Sequence, residues 1–421
     1  MSSDVGGGVL NGCSIAGTDV RNLVFTVEFY ESIYSSTASA NITLNDAAGF
    51  YQSAGLKGGE DVSFSFGGRS GSTIRMNFKV GKLGDRTRAK DNLDMYMITC
   101  VPQEFLEQNQ KEIVKAYKEK KVSEMAKDFH DEYVKGSNTL KKDLVTNEET
   151  EGKQSYHGTG RSPVTAIRWA GKEGKSSEAK ASNYVYYQDR DGYHFRTIDK
   201  MLQGSVVETL AYSSQNIGAA GGDPSKKIIA FDQKNDLDQM DASFNGADSD
   251  HWYYYDPTTG KIGGGSKRKG AGDTTHTGKN TITEPEKESK DTARGEGFSF
   301  IIAPGASKSK TRDARDPKIA ETKRTLHEHG AKSSAALQLD NLVMNLRVPG
   351  DIKYKPGIKL KLSIPANQEE GSLDKRSGDY LLTSVRHVLY RDDKDFKYEC
   401  VLECKSDSHS KSAPSGTGGV A

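Results

Sequence analysis

Hydrophobic and polar positions alternate with a period of two in two widely separated stretches of this chain, and both stretches keep one spacing around a glycine turn. In the first, Leu56-Lys57-Gly58-Gly59-Glu60-Asp61-Val62-Ser63-Phe64-Ser65-Phe66, apolar side chains fall three, five and seven positions after Gly59. In the second, Tyr354-Lys355-Pro356-Gly357-Ile358-Lys359-Leu360-Lys361-Leu362-Ser363-Ile364, they do so after Gly357. An extended run precedes each, Leu23 to Glu31 and Leu337 to Val348. Two more runs follow each, Thr73 to Leu83 with Asp91 to Val101, and Gly378 to Tyr390 with Phe396 to Cys404. Alternation with turn residues between runs predicts short antiparallel strands that bury one face. The repeat therefore predicts a mainly β fold with two homologous small antiparallel β-barrels in one chain, a pattern of pseudo-symmetry rather than of a single catalytic pocket.

Between the two ends the period changes. Val122, Met125, Ala126, Phe129 and Tyr133 recur at helical spacing and predict one apolar stripe on a charged helix, a packing face. Residues 136–160, rich in Thr, Glu, Lys and Gly, read as a long polar connection. Ser162-Pro163 supplies an N-cap and a first-turn proline for a short helix that carries Val164, Ile167 and Trp169 and ends at Gly171. Tyr184 to Tyr187 and Tyr193 to Arg196 flank Asp189-Arg190-Asp191-Gly192, whose Asp-Gly step suits a tight hairpin turn with positive φ.

Ile228, Ile229 and Phe231 begin a strand, His251 to Tyr255 forms an aromatic run before the Asp256-Pro257 turn, and Phe298 to Ile302 reads as a strand. Residues 263–296 hold almost no apolar side chains and predict a flexible insertion. Pro317 to Gly330 reads as a charged helix with Ile319, Ala320, Lys323 and Leu326 facing the body. The expected domains are a first barrel at 1–102, an inserted α+β domain at 103–210, and a second α+β region at 211–335 holding the flexible insertion. Residues 336–406 complete the second barrel, and 407–421 form a disordered tail.

Composition narrows the function classes. A chain of 421 residues can bury real cores, in about two to four domains. With 34% hydrophobic residues and 44 glycines, much of it must lie in turns and solvated faces. Lys plus Arg (59) and Asp plus Glu (58) cancel, which argues against a dedicated nucleic-acid or membrane-surface binder, since both need a field of one sign. The N-terminus lacks a secretory signal pattern and no run approaches the roughly 20 apolar residues of a membrane span. Synthesis in the host cytoplasm with no stable membrane insertion is expected.

Cys13, Cys100, Cys400 and Cys404 are too few and too scattered for a disulfide framework and read as core thiols. A metal at Cys400 and Cys404 would need further ligands close by. The nine histidines lie apart, and the close pair, His327 and His329, would point to different faces of a helix. No zinc-protease spacing, nucleophile elbow or phosphate loop is present, and Gly6-Gly7-Gly8 and Gly263-Gly264-Gly265 read as flexible segments. Asp46, Glu60 and Asp61 sit beside strand turns, where solvation accounts for them better than glycosidase chemistry. The aromatic runs at Tyr184 to Tyr187 and Trp252 to Tyr255 could stack on sugars or bases, yet alternate members of such strands more often pack. The residues thus predict no catalytic, cofactor-binding or metal site and no enzyme.

Three groups of residues carry a family resemblance. Phe29-Tyr30-Glu31-Ser32-Ile33, Ala40-Asn41-Ile42-Thr43-Leu44-Asn45-Asp46 and Gly58-Gly59-Glu60-Asp61-Val62 resemble the opening barrel of baseplate hub proteins of contractile-tailed phages, myoviruses of the T-even type. The hairpin from Asn183 to Ile198 resembles the inserted domain of those proteins. Val348-Pro349-Gly350-Asp351, Lys355-Pro356-Gly357 and the series from Ser377 to His387 resemble their C-terminal barrel. Together these span most of residues 20–405 in the family's order, and the hub part of the type VI secretion spike protein is similar in design.

The resemblance implies a homotrimer whose six barrels form a pseudo-sixfold ring, adapting the sixfold tail tube protein to the threefold central spike protein. It also implies contacts with other baseplate proteins, DNA only in transit through the lumen, no cofactor, and a place in the tail baseplate of the virion. The insertion at 263–296 and the connection at 136–160 depart from the family's pattern. No lysozyme-like or needle-like segment follows the second barrel, so the puncturing spike is expected on a separate chain. Two other classes stay open. A carbohydrate-binding or carbohydrate-active β protein of the tail predicts a cleft lined by Tyr or Trp with facing carboxylates, and a tail tube or other self-assembling virion subunit predicts open-ended assembly.

Overall fold

The computed structural model describes residues 6–68, 71–90, 92–108, 110–136, 141–158, 160–179, 181–212, 223–236, 249–256, 260–268, 277, 280–281, 296–302, 339–340, 342–366 and 373–409. The N-terminal part contains β1 (Gly7–Ile15), the short β2 (Thr18–Asp19), β3 (Val24–Ser32), β4 (Ser39–Asp46), helix α1 (Phe50–Ala54), β5 (Asp61–Gly68), β6 (Thr73–Lys90) and β7 (Leu93–Val101). Strict alternation explains the strands. In β4, Ala40, Ile42 and Leu44 are fully buried while the residues between them face outward, as the pleat requires. The strands pair antiparallel in the order β3-β4-β7-β6-β5-β1.

The inserted region holds α2 (Gln103–Gln108), β8 (Ala116–Lys120), α3 (Val122–Phe129), β9 (Leu144–Asn147), β10 (Gln154–His157), α4 (Pro163–Glu173), β11 (Tyr184–Gln188), β12 (Tyr193–Thr197) and α5 (Ile198–Leu202). The expected stripe on α3 is core: Val122, Met125, Ala126 and Phe129 are buried against Ile167, Ala170, Tyr186 and Phe195. Past Phe129 the chain continues as a π-helical turn, His130–Lys135. The expected polar connection at 136–160 is instead structured: β9 runs parallel to β12 and β10 antiparallel to β8. Its apolar side chains are few, with Tyr156 buried in the core of the inserted region and Leu144 packed against it, and the ladders are made by backbone groups, so no sustained alternation announces them.

Helix α4 runs two residues past Gly171, which packs closely beneath Tyr184 rather than ending the helix. The hairpin β11–β12 forms as expected, with a different reason for its glycine. Gly192 does not adopt positive φ. A Cβ there would stand 2.6 Å from the Asp143 carbonyl, so glycine admits the neighbouring strand. The Asp189 carboxylate holds the turn by accepting the N–H groups of Asp191 and Gly192 at 2.8 and 3.1 Å.

The remaining strands are β13 (Val206–Ala211), β14 (Ala230–Asp236), β15 (Ser249–Asp256), β16 (Lys261–Arg268), β17 (Asn280–Thr281), β18 (Glu296–Ile302), β19 (Leu342–Pro349), β20 (Lys359–Ser363), β21 (Gly378–Asp392), β22 (Asp395–Ser406) and β23 (Ser408–His409). Part of the stretch expected to be flexible is therefore paired. β16 carries the glycine triplet antiparallel to β15, and Asn280–Thr281 pairs with β23, whose residues belong to the stretch expected as disordered tail. The helix expected at 317–330 lies outside the described residues, as do His327 and His329.

The glycine-turn repeat is matched in hydrogen bonding. Gly59 and Gly357 both take left-handed φ, 88° and 87°. Each donates its N–H at 2.7 Å, to Val80 O and Leu382 O respectively, and each of those residues donates back at 2.9 Å, to Glu60 O and Ile358 O. Directly after Val80 and Leu382 both strands bulge, and these residues face Cys100 and Cys404. Cys100 in turn faces Ala40, and Cys404 faces Met344. The order β5-β6-β7-β4-β3 thus recurs as β20-β21-β22-β19-β14. In consequence the counterpart of the Leu342–Pro349 strand in the N-terminal half is β4 and not the Leu23–Glu31 run expected from the spacing in sequence.

One difference joins the two halves. Hairpin β21–β22 extends beyond its own sheet, so that Ser384–Tyr390 pairs with Thr26–Ser32 of β3 and Phe396–Lys397 with Gly7–Gly8 of β1. Pairings therefore run from β1 through β5, β6, β7, β4, β3, β21 and β22 and back to β1. The first glycine triplet is part of this contact and not a flexible lead, because a Cβ on Gly8 would lie 2.5 Å from the Leu389 side chain. One core of Phe29, Phe64, Phe66, Tyr398, Leu402 and their neighbours fills both halves.

Candidate functional site

The place where most of the chain converges is a buried polar junction under the β11–β12 turn. In β3, Val27, Phe29 and Glu31 occupy the inward phase, and in β21 Val385, His387 and Leu389 do the same. A carboxylate and an imidazole in a buried phase must find partners, since burying an unpaired charge costs several kcal/mol or more. Arg190, at the tip of the inserted hairpin, supplies them. Its backbone N–H donates to Glu31 Oε1 at 2.6 Å and its Nη2 to Glu31 Oε2 at 3.0 Å. Nη1 donates to the carbonyl of Ile352 at 2.8 Å, and Nη2 also donates to the carbonyl of Tyr354.

His387, fully buried, completes the cluster. Its Nε2 lies 3.3 Å from Glu31 Oε2, its Nδ1 2.8 Å from the Tyr398 hydroxyl and 3.2 Å from Cys400 Sγ. Burial works against charge on the ring, but the Cys400 thiol and Glu31 outweigh it and hold His387 above its ordinary value. Lys355 adds an ion pair to Asp191 beside the turn, and Gln188 Oε1 accepts the Ala38 N–H at 3.0 Å. Apolar packing finishes the seam: Tyr187, Ile198, Met201 and Leu202 of the inserted region are buried with Ile33, Leu339 and Leu381. The arrangement fixes the inserted region to both halves of the repeat at once; most of its polar groups are paired with one another, while Arg190 Nε is buried without a hydrogen-bond partner.

The residues singled out in sequence are scattered. Asp46 accepts N–H groups from Phe50 and Tyr51 at 2.9 Å at the start of α1, which depresses its carboxyl against the effect of burial. Glu60 accepts the N–H groups of Lys57 and Gly58, and Asp61 pairs with Lys79 at 2.8 Å. All three are structural parts of turns and ladders. The four cysteines are free and buried; burial and Asp19 push the Cys13 thiol up to about 12, and burial drives Cys100 and Cys404 up as well. Among the described residues no group of three or more His, Cys, Asp or Glu side chains is placed to hold a metal ion, and no helix is long and apolar enough to cross a membrane.

Tyr186 and Tyr187 of the first aromatic run are buried, the Tyr186 hydroxyl sharing a hydrogen bond with His130 Nδ1 at 2.9 Å. A polar cleft of about 310 Å³ lies between β6 and the inserted region, with Arg75, Lys141 and Lys142 facing Glu104, Asp143 and Asp191. Sequence reasoning quoted Glu31, Arg190 and His387 without seeing them as a unit. The signal available was phase: Glu31 follows Val27 and Phe29 at a spacing of two and so was due to be buried with a partner.

No protein-family model matches the sequence, and no curated protein matches it. Solved structures do. A tail protein from Neisseria meningitidis MC58 is similar over 95% of this chain and 97% of its own, with a TM-score of 0.57 at 13% identity. The 43 kDa tail protein of prophage MuSo2 from Shewanella oneidensis is similar over 96% of this chain and 100% of its own, with a TM-score of 0.58 at 8% identity. Across nearly its whole length the chain carries the fold of these tail proteins.

Proposed function

We propose that this protein is the structural hub of a contractile phage tail baseplate, a non-enzymatic trimer whose chains each contribute two barrels to a pseudo-sixfold ring. The observation that carries this reading is the equivalence of the Gly59 and Gly357 turns in hydrogen bonding, bulge and facing residues. A chain with two matched sheets offers two similar surfaces, so three chains offer six to a sixfold tail tube while the inserted regions remain threefold toward a central spike. The shared fold with tail proteins supports the same assignment. In this reading the junction around Arg190 is a rigid mount that fixes the inserted region against both halves. Other baseplate proteins would bind the outer faces, and DNA would meet the chain only in transit through the lumen.

The test is the mass and symmetry of the assembly. Native mass measurement of the purified chain, alone and with candidate tube and spike proteins, is expected to give a particle of three times 45.9 kDa that recruits both. Images of such particles are expected to show a closed ring with six similar lobes. A chain that stays monomeric within an assembled tail, or that polymerises without closing, would overturn the proposal.

A further inference from the structure

The matched pairing scheme is complete in one half of the chain and open in the other. In the N-terminal half, β3 is covered on one edge by β4 and on the other by the distal arm of β21. In the C-terminal half, β14 stands where β3 stands. Phe231 faces Leu346 as Val27 faces Ile42, and Gln233 faces Met344 as Phe29 faces Ala40. Among the described residues β14 ends the order of strands, and no ladder covers its second edge.

The counterpart of the covering arm is also on the page. β6 stands where β21 stands; β5 leaves it at Lys79, opposite Asp61, just as β20 leaves β21 at Leu381, opposite Lys359. Beyond that point the segment Lys82–Lys90 pairs, among the described residues, with β7 alone, whereas the matching segment of β21 goes on to pair with β3. The described residues therefore hold one cradle without an arm and one arm without a cradle. Exposed strand edges of this kind invite a strand from another molecule.

We propose that the β6–β7 arm of one copy of this chain pairs antiparallel along β14 of the next copy, reproducing between chains the contact that β21 makes with β3 within one. The occupant is a second copy because the chain itself supplies the pattern. The register follows. Thr87 faces Met95, the place that Val388 holds opposite Glu399, and Val388 pairs with Glu28, whose counterpart on β14 is Asp232. Thr87 of one copy is therefore set opposite Asp232 of the next. The contact uses different surfaces on the two copies, so its repetition is head-to-tail, and the hub reading requires that it close into a ring rather than propagate.

This inference rests on the hub reading, because it needs a ring of copies, and the experiment separates the two. Full-length protein carrying both Thr87→Cys and Asp232→Cys is oxidised and run without reductant, with native mass measured on the reduced sample. Opposed residues of an antiparallel pair lie about 4.5 to 5.5 Å apart at Cα, within disulfide reach. Covalently joined chains are expected from the double variant, reverting on reduction and absent from either single variant. Closed oligomers that give no cross-link overturn the strand pairing while leaving the hub reading intact. Cross-linking by a single variant indicates a symmetric contact and overturns the head-to-tail pairing. A folded protein that stays monomeric by mass, alone and with tube and spike, overturns both.

Discussion

The guanidinium of Arg190 meets the carboxylate of Glu31 at 3.0 Å across 159 residues of sequence, and both side chains are almost wholly shielded from water. A buried pair of this kind is weak evidence for net stability but is costly to break from one side, by about 3–5 kcal/mol. Arg190→Met is therefore expected to lower unfolding free energy by that order, leaving Glu31 without its guanidinium partner. Adding Glu31→Gln is expected to recover a large share. Urea titration of the three proteins checks this, and a double variant no better than the single one would show that Arg190 acts chiefly through the Ile352 and Tyr354 carbonyls.

Gly59 and Gly357 share a backbone conformation but not surroundings. A Cβ on Gly59 would meet open space, while one on Gly357 would stand 3.0 Å from the Tyr187 hydroxyl. Left-handed φ alone costs a non-glycine residue roughly 1–2 kcal/mol. Gly59→Ala is expected to cost about that much, and Gly357→Ala more, because the seam with the inserted region must also give. Equal losses in thermal unfolding would contradict the crowding argument.

His387 should leave a signature in pH dependence. Its folded value lies above the ordinary 6.5, so the folded state binds the ring proton more tightly than the unfolded state does. The resulting stabilisation is full below the unfolded value and disappears as pH rises through the folded one. Relative to a His387→Gln variant, the native protein is expected to lose stability as pH rises from 6.5 upward through the raised folded value. Parallel stability curves for the two proteins across that range would refute it.

Thiol reactivity gives a test of the core. Burial raises Cys13, Cys100 and Cys404, so little thiolate exists at neutral pH and none is accessible. The folded protein is expected to react with an aromatic disulfide reagent at least about a hundredfold more slowly than the urea-unfolded chain. Rapid labelling of Cys100 or Cys404 in the native state would place those strands elsewhere.

Sequence reading succeeded where side-chain pattern and backbone pattern coincide. Val62, Phe64 and Phe66 alternate because β5 is covered on one face, and the same holds for Leu360 and Leu362, so both glycine turns were legible. It failed where the apolar run is too short to show alternation, as in Gln154–His157 with Tyr156 its one buried side chain, and in the glycine-bearing β16. β1 is hidden for a related reason: its Gly7-Gly8 start reads as slack in sequence, whereas the close approach of Tyr398 and Leu389 to Gly8 demands glycine. The junction around Arg190 was half legible: the inward phase of Glu31 announced a buried acid, but which distant cation would answer it is set by the topology.

The long β21–β22 hairpin has a consequence for the order of events during synthesis. Strands β1 to β7 leave the ribosome first, yet β3 and β1 lack their outer neighbours until residues 384–397 follow. The early-made half must wait, with two bare edges, for nearly three hundred further residues, and such non-local closure is slow and prone to mispairing. A nascent chain arrested after residue 102 should therefore be a sticky, incomplete sheet, and holdase chaperones that mask strand edges should matter more for this protein than for one whose halves close independently.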